Sequence, residues 1–118
     1  MKVLVVDDEQ LVRWFLDRAL KKSGYEVITA SNIAEAAQKL KTDDAIEVLF
    51  LDLRMPEGSG IDLIRQLDLT EKRPKIIVCS AFITPELEDE FKTKGICMLR
   101  KPFKLEELNS TLKKCLEL

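Results

Sequence analysis

The sequence predicts an α/β fold, a single domain built on a five-stranded parallel sheet. Three observations predict it. Short, uninterrupted apolar runs recur along the chain, and runs without polar alternation suit strands covered on both faces. Segments with apolar residues at helical spacing lie between them. The two kinds alternate from one end to the other, in the order βαβαβαβαβα, and that order means a parallel sheet flanked by helices. The 118 residues suffice for one core. No linker, repeat or low-complexity tract interrupts them, so the domain is expected to occupy residues 1–118.

The first strand is Val3-Leu4-Val5-Val6. A helix follows from Leu11 to Leu20, with Leu11, Val12, Phe15, Leu16 and Ala19 on one side and Gly24 as its stop signal. Tyr25 to Thr29 is a weaker strand pattern. Asn32 and Glu35 then stand at capping-box spacing, before Ile33, Ala36, Ala37 and Leu40 on one helical face. Val48-Leu49-Phe50-Leu51 forms the third strand, and a helix covers Gly60 to Leu69. Ile76-Ile77-Val78-Cys79 is the fourth strand. Thr84 caps the next helix, with Pro85 in its first turn and Gly95 at its end. Ile96 to Leu99 is the last strand. The final helix carries Leu105, Leu108, Leu112, Cys115 and Leu116, and Lys104 stands where a capping residue would.

Composition removes several classes of function. Hydrophobic residues at 46% and charged residues at 34% can fold, so wholesale disorder is not expected. Nineteen basic against 21 acidic residues leave a net charge of −2, with no global basic field to hold nucleic acid. There is no histidine, which excludes histidine-based triads, histidine metal ligands and a histidine phosphocarrier within this chain. Three cysteines, Cys79, Cys97 and Cys115, have no metal-ligand spacing and are odd in number, so a reducing compartment fits best. Cys79 and Cys97 read as packing residues in strands, whereas for Cys115, near the end of the chain, exposure stays open. Trp14 reads as a packing residue at the edge of the first helix's apolar face. The apolar run at Val3 is too short for a signal peptide or a membrane span. A soluble, cytoplasmic domain without membrane contact is expected.

In open parallel sheets, ligands sit beyond the carboxyl ends of the strands. There the first strand runs into Asp7-Asp8-Glu9 and the third into Asp52, while the fourth ends in Ser80 and the fifth is followed by Lys101-Pro102. Taken singly, Asp7 and Asp8 read equally well as residues solvating a loop, and Ser80 or Lys101 as ordinary polar groups. Their joint placement is what carries weight. Carboxylates gathered at one sheet edge repel one another unless a cation intervenes, and a few oxygen ligands suit Mg2+. A carboxylate nucleophile at Asp52, a divalent metal, the Ser80 hydroxyl and the Lys101 ammonium make a workable phosphoryl-transfer site.

These residues resemble the receiver domain of two-component response regulators. The matching marks are Val5-Val6-Asp7-Asp8-Glu9, then Asp52-Leu53-Arg54-Met55-Pro56 with Gly60 after it, then Ser80-Ala81, and Lys101-Pro102-Phe103. They span essentially the whole chain. Val12-Arg13-Trp14 and Arg18-Ala19-Leu20, with the Asp52 to Pro56 stretch, are also similar to the nitrogen-regulation branch, which joins a receiver to an ATPase acting at sigma-54 promoters.

The resemblance implies a flavodoxin-like sheet of strand order 2-1-3-4-5, the order of chemotaxis receivers. It implies that Asp52 takes a phosphoryl group from a sensor histidine kinase and that the conformation then switches to control an output such as transcription. Asp7, Asp8, Asp52 and the backbone carbonyl of Arg54 would bind Mg2+. Ser80 would hydrogen-bond the phosphoryl oxygen, Lys101 would pair with it, and small Ala81 would leave room beside it. The Lys101–Pro102 peptide would be cis. The partners implied are the kinase and either a phosphorylation-dependent homodimer or an output domain, met through the fourth helix, fifth strand and fifth helix. The domain would be no stand-alone enzyme, catalysing only its own phosphorylation and dephosphorylation. One residue departs from the pattern. Met98 stands where the family usually has Tyr or Phe, so the ring of the usual switch is missing, although Ser80 is kept.

Three other readings share the architecture. An aspartate-nucleophile phosphatase carries a second Asp two residues after the first, where this chain has Arg54. A flavin-binding protein needs hydroxyl and amide donors in its first loop, where Asp7-Asp8-Glu9 would repel a phosphate. A degenerate receiver that only binds partners would not need Asp7, Asp8, Asp52, Ser80 and Lys101 together.

Overall fold

The computed structural model describes residues 1–56, 58–70 and 73–117. Five strands, β1 (Lys2–Val6), β2 (Glu26–Ala30), β3 (Ile46–Leu51), β4 (Lys75–Ser80) and β5 (Cys97–Arg100), alternate with five helices. These are α1 (Gln10–Lys22), α2 (Ile33–Thr42), α3 (Gly60–Leu67), α4 (Pro85–Lys94) and α5 (Leu105–Glu117). All strand pairs are parallel, in the order β2-β1-β3-β4-β5. This is the flavodoxin-like arrangement expected, with its reversal of strand order between β1 and β3.

Successive residues of a strand face opposite sides of the sheet. Leu4, Val6, Leu49, Leu51, Ile76 and Val78 therefore pack with Ala36, Leu63, Ile64 and Phe91 from α2, α3 and α4. Val3, Val5, Val48, Phe50, Ile77 and Cys79 pack with Leu16, Leu20, Leu108, Leu112 and Cys115 from α1 and α5. The uninterrupted apolar runs are explained by these two covered faces. Among the described residues, no helix is long and apolar enough to cross a membrane.

The helix ends show how local chemistry fixes the loops. Asn32 Oδ1 accepts from the Glu35 N–H at 2.8 Å, as expected. The returning Glu35 carboxylate reaches Ser31 instead of the cap's own N–H, so the box is displaced by one residue. Thr84 caps α4, and Gly95 ends it in the left-handed conformation, φ +71°. Ser59, not foreseen, caps α3 through the Asp62 N–H. The start of α5 is served by Glu107, whose carboxylate accepts from the Lys104 N–H at 3.1 Å.

Some expectations are corrected. The third helix stops at Leu67, and Leu69 beyond it is 88% exposed. Trp14 is 56% exposed and Leu11 79%, because each lies well over a quarter-turn around α1 from buried Leu16. The Arg18 guanidinium covers the Trp14 ring at 5.0 Å. Cys115, whose exposure stayed open, is buried against β5, and burial, together with neighbouring Cys97, pushes its thiol pKa up to about 12.

Candidate functional site

The first and third strands set the site. Val6 pairs with Leu51, and the ladder continues one step further. The Asp52 N–H donates to the Val6 carbonyl at 3.0 Å, and the Asp7 N–H to the Ala30 carbonyl at 3.2 Å. Both aspartates are thus held by main-chain bonds where the strand order reverses, the place where ligands enter such sheets. Asp7 is 1% exposed and Asp52 5%.

The second half comes from β4 and β5. Ser80 pairs with Arg100, and the Lys101 N–H donates to the Ser80 carbonyl at 3.1 Å. The Lys101–Pro102 peptide is cis, as the resemblance implied. The Phe103 ring packs on Phe15 of α1 at 5.9 Å, tilted by 60°, which anchors the loop.

From there the Lys101 ammonium meets three carboxylates. Nζ lies 2.7 Å from Asp7 Oδ2, 3.0 Å from Asp52 Oδ2 and 3.0 Å from Glu9 Oε1. Burial alone would make Lys101 easier to deprotonate, but its close pairing with the carboxylates of Asp7, Glu9 and Asp52 outweighs it and raises its pKa. Asp7 responds oppositely. Burial pushes its carboxyl above its ordinary value, Asp52's charge adds to the rise, and the Lys101 ammonium and Glu9 N–H oppose it. Asp7 Oδ1 accepts from the Glu9 N–H at 2.9 Å. Its Oδ2 is fully buried and, despite the close ammonium, has no aligned hydrogen-bond donor.

Carboxylate oxygens of Asp7, Asp8, Glu9 and Asp52 all lie within 4.8 Å of one another. One ammonium cannot neutralise four carboxylates. The donors are all hard oxygens, and a buried Asp7 oxygen lacks an aligned donor, so the residues present fit a hard divalent cation. Asp8 is exposed and lines a cleft with the Arg54 to Pro56 segment, Gly58 and Ser59.

Ser80 is buried, and its Oγ accepts from the Phe82 N–H at 3.2 Å. Among the described residues, no hydrogen bond joins Ser80 to Asp52. Met98 is half-buried against the cluster that contains Ile83 and Phe91. It also lines a groove with Glu88, Arg100, Glu106 and Thr111, between α4 and α5. Asp7, Asp8, Asp52 and Lys101 are brought together as expected. Ser80 lies at the site's edge, and Met98 lies on β5 against the cluster that holds Phe91 of α4.

Glu9, Arg13, Phe82 and the side chain of Arg54 are additions to the sequence reading, which names only the backbone carbonyl of Arg54. Glu9 belongs to the acidic run but has no role in that reading. Arg13 donates to the Asp7 carbonyl at 2.6 Å and holds the β1–α1 loop. Its position one turn into α1 was the signal. Arg54 and Phe82 stack with the guanidinium 4.2 Å from the ring centroid, and sequence alone gives no sign of a contact between two loops.

The family model for the response regulator receiver domain matches residues 3–113. The chain is 27% identical over 118 residues to the sporulation initiation phosphotransferase F of Bacillus subtilis, covering 99% of this chain and 94% of that one. It is 33% identical over 117 residues to the alkaline phosphatase synthesis transcriptional regulatory protein PhoP of the same organism. That match covers 95% of this chain and 47% of the relative. Among solved structures, the response regulator protein TrrA of Thermotoga maritima, in complex with Mg2+-BeF, superposes with a TM-score of 0.81 at 30% identity, covering 97% of each chain.

Proposed function

The chain belongs to the response regulator receiver domain family, and from that premise we propose that Asp52 is its phosphoacceptor and that Asp7, Asp8, Asp52 and the Arg54 backbone carbonyl hold Mg2+. The observation that carries this reading is the Asp52 carboxylate, buried at the sheet's carboxyl edge within a cluster of four carboxylates and 3.0 Å from Lys101. Receiver domains accept phosphoryl groups from histidine kinases, and they are not stand-alone enzymes. Here an Asp52 oxygen forms the new bond to phosphorus while the bond to the donor's imidazole nitrogen breaks. The nitrogen keeps the electron pair and takes a proton from solvent.

Bound Mg2+ would neutralise charge on the phosphoryl oxygens. Glu9 joins the cluster and supplies a further carboxylate. Lys101 is already in place to pair with a phosphoryl oxygen on Asp52. Ser80 donates its hydroxyl to another, exchanging its contact with the Phe82 N–H. That exchange moves the loop into α4 and alters the face of α4, β5 and α5, where a second copy or an output domain docks. The same site lets water attack the acyl phosphate and reset the domain. The domain acts in the cytoplasm, with no nucleic-acid or membrane contact of its own. Output through transcription follows the PhoP likeness, and the nitrogen-regulation branch rests on the Val12-Arg13-Trp14 and Asp52 to Pro56 stretches.

The test is intact mass after incubation with acetyl phosphate and MgCl2. The parent should gain one phosphoryl group, and Asp52→Asn should gain none. Stoichiometric labelling of Asp52→Asn would overturn the assignment.

A further inference from the structure

Arg54 and Phe82 each stand two residues beyond a side chain of the site. The Arg54 N–H donates to Asp52 Oδ1 at 3.2 Å, and the Phe82 N–H donates to Ser80 Oγ at 3.2 Å. Their side chains then meet outside, with the Arg54 guanidinium carbon 4.2 Å from the centroid of the Phe82 ring. Both are exposed, Phe82 by 58%. The stack therefore bridges the β3–α3 and β4–α4 loops at the mouth of the site.

Of the other arginines, Arg65, Arg73 and Arg100 each pair with a carboxylate, Arg13 donates to the Asp7 main-chain carbonyl, and Arg18 lies over the Trp14 ring. Among the described residues Arg54 has no carboxylate partner, although four carboxylates cluster beside it. A guanidinium lying over a ring keeps its charge and leaves its in-plane N–H groups free for bidentate contact with phosphoryl oxygens. The phenyl ring is turned to water, where it contributes little to the core, and covering it holds the arginine in one place.

Such a cation answers a problem that the site itself creates. Phosphodonors are anions, and four clustered carboxylates repel them over roughly a Debye length, about 8 Å at physiological salt. Lys101 is already engaged with Asp7, Glu9 and Asp52. With Mg2+ bound, the four carboxylates, the metal and Lys101 still leave one negative charge, so a positive group outside that network favours the approach of an anionic phosphoryl group.

We propose, resting on the reading of Asp52 as phosphoacceptor, that Arg54 binds the anionic phosphoryl group of the incoming donor and that Phe82 is the positioning residue that holds Arg54 for this task. With acetyl phosphate the step balances simply. An Asp52 oxygen forms its bond to phosphorus, the bond from phosphorus to the acetyl oxygen breaks, and acetate leaves with the electron pair. Arg54 takes no part in bond making and acts on the capture and orientation of the donor.

The experiment follows Asp52 labelling by intact mass against acetyl phosphate concentration at fixed MgCl2. The variants are Arg54→Ala, Arg54→Lys, Phe82→Ala and the double variant Arg54→Ala with Phe82→Ala. None of them removes the Arg54 main-chain carbonyl. Arg54→Ala should lower the second-order rate about tenfold, the loss of one charge-assisted contact. It should do so by raising the half-saturating donor concentration, not by lowering the saturated rate. Phe82→Ala should lose about threefold, and nothing further once Arg54 is alanine. Arg54→Lys should fall between, and the rate of the parent should decline more steeply with salt than that of Arg54→Ala. Thermal melts matching the parent exclude a folding defect. Parental rates in Arg54→Ala, or a Phe82→Ala loss that persists in the double variant, would overturn the proposal while leaving Asp52 as acceptor. A parent that takes no label would overturn both.

Discussion

The ammonium nitrogen of Lys101 lies 3.0 Å from Asp52 Oδ2, so the proposed nucleophile is already ion-paired before any donor arrives. The lysine side chain is 12% exposed, and those of Asp7 and Asp52 are 2% and 7%. Lys101→Ala should leave two nearly buried carboxylates without their cation, at a cost of about 1–3 kcal/mol. Full burial would cost more, but the site opens to solvent at Glu9 and Asp8. Urea melts in EDTA should show this loss, and excess MgCl2 should narrow it. Equal stability of parent and variant in EDTA would show that Lys101 does not balance the cluster.

Magnesium should stabilise the parent by linkage, by about 2.7 kcal/mol at a concentration 100 times its Kd. Asp7→Asn should behave in the opposite sense. Burial and the neighbouring Asp52 already disfavour the Asp7 charge, so neutralising it should raise Tm in EDTA by a few degrees. Adding MgCl2 should then raise Tm less than in the parent. Thermal melts of both proteins with and without the metal check this. A full magnesium response in Asp7→Asn would remove Asp7 from the ligand set.

Gly60 is tied to the site by space. A Cβ there would lie 2.7 Å from the Asp52 carbonyl oxygen and 3.0 Å from Leu53 Cα. Gly60→Ala must push the Asp52 main chain aside, costing about 1–3 kcal/mol and slowing Asp52 labelling. Gly24→Ala is the comparison. Gly24 has φ +93° with nothing within 4 Å of the added carbon, so alanine there is strained by about 1–2 kcal/mol but should label at the parental rate. Urea melts and labelling rates on both variants separate the two effects.

Asp68 joins the end of α3 to α4 and to the segment just before β4, with Lys94 Nζ at 2.7 Å and Arg73 at 2.8 Å. Lys94 foremost, and Arg73 with it, holds the Asp68 carboxyl below its ordinary value. A depressed acid contributes stability that is present above its unfolded value and is lost as pH falls through the folded one. Asp68→Asn should therefore cost about 0.5–1 kcal/mol at pH 7, given the partial exposure of the pair. The difference should vanish at pH values well below about 3.9. A gap that persists there would mean packing, not charge, is responsible.

What could be read from the sequence follows from how locally each feature is encoded. The strands are buried on both faces, so their runs of Val, Leu and Ile stood out, and the caps at Asn32 and Thr84 act within three residues. Asp7, Asp52, Ser80 and Lys101 were placed because each ends a strand, and a parallel sheet collects such ends. Trp14 and Leu11 misled because an apolar residue near a helical stripe looks the same whether it falls inside or outside it. The burial of Cys115 stayed open because its position near the chain end says nothing of the strand beneath. The Glu9–Lys101 pair and the Arg54–Phe82 stack join residues 92 and 28 positions apart, and no local pattern records such meetings.

In the switch proposed above, the route from the site to α4 would pass through Arg100. Its guanidinium donates to the Ile83 carbonyl at 3.2 Å and to Glu88 Oε2 at 3.1 Å. One side chain of β5 thus fastens both the β4–α4 loop and the first turns of α4. Beyond that, α4 buries only Phe91 fully, with Leu87 half-buried, and its other ties are ion pairs to Arg65 and Asp68 and a hydrogen bond from Arg73 to the Lys94 carbonyl. Met98 has no ring to settle in one of two positions, so in the proposed switch, where Ser80 draws the loop toward a phosphoryl group, Arg100 is a residue with contacts to lose. Arg100→Ala should speed amide exchange across residues 83–94 about fivefold, the scale of one exposed charge-assisted contact, with Phe91 keeping the helix docked. In the parent, beryllofluoride with MgCl2 should change exchange from Ala81 to Phe103 and shift the sedimentation of the domain toward a dimer. Arg100→Ala should reach the same state with a smaller change, because part of the release has already occurred. Exchange altered only around Asp7, Asp8 and Asp52, with Ala81 to Phe103 unchanged and no change in mass, would mean that the signal does not travel by this path.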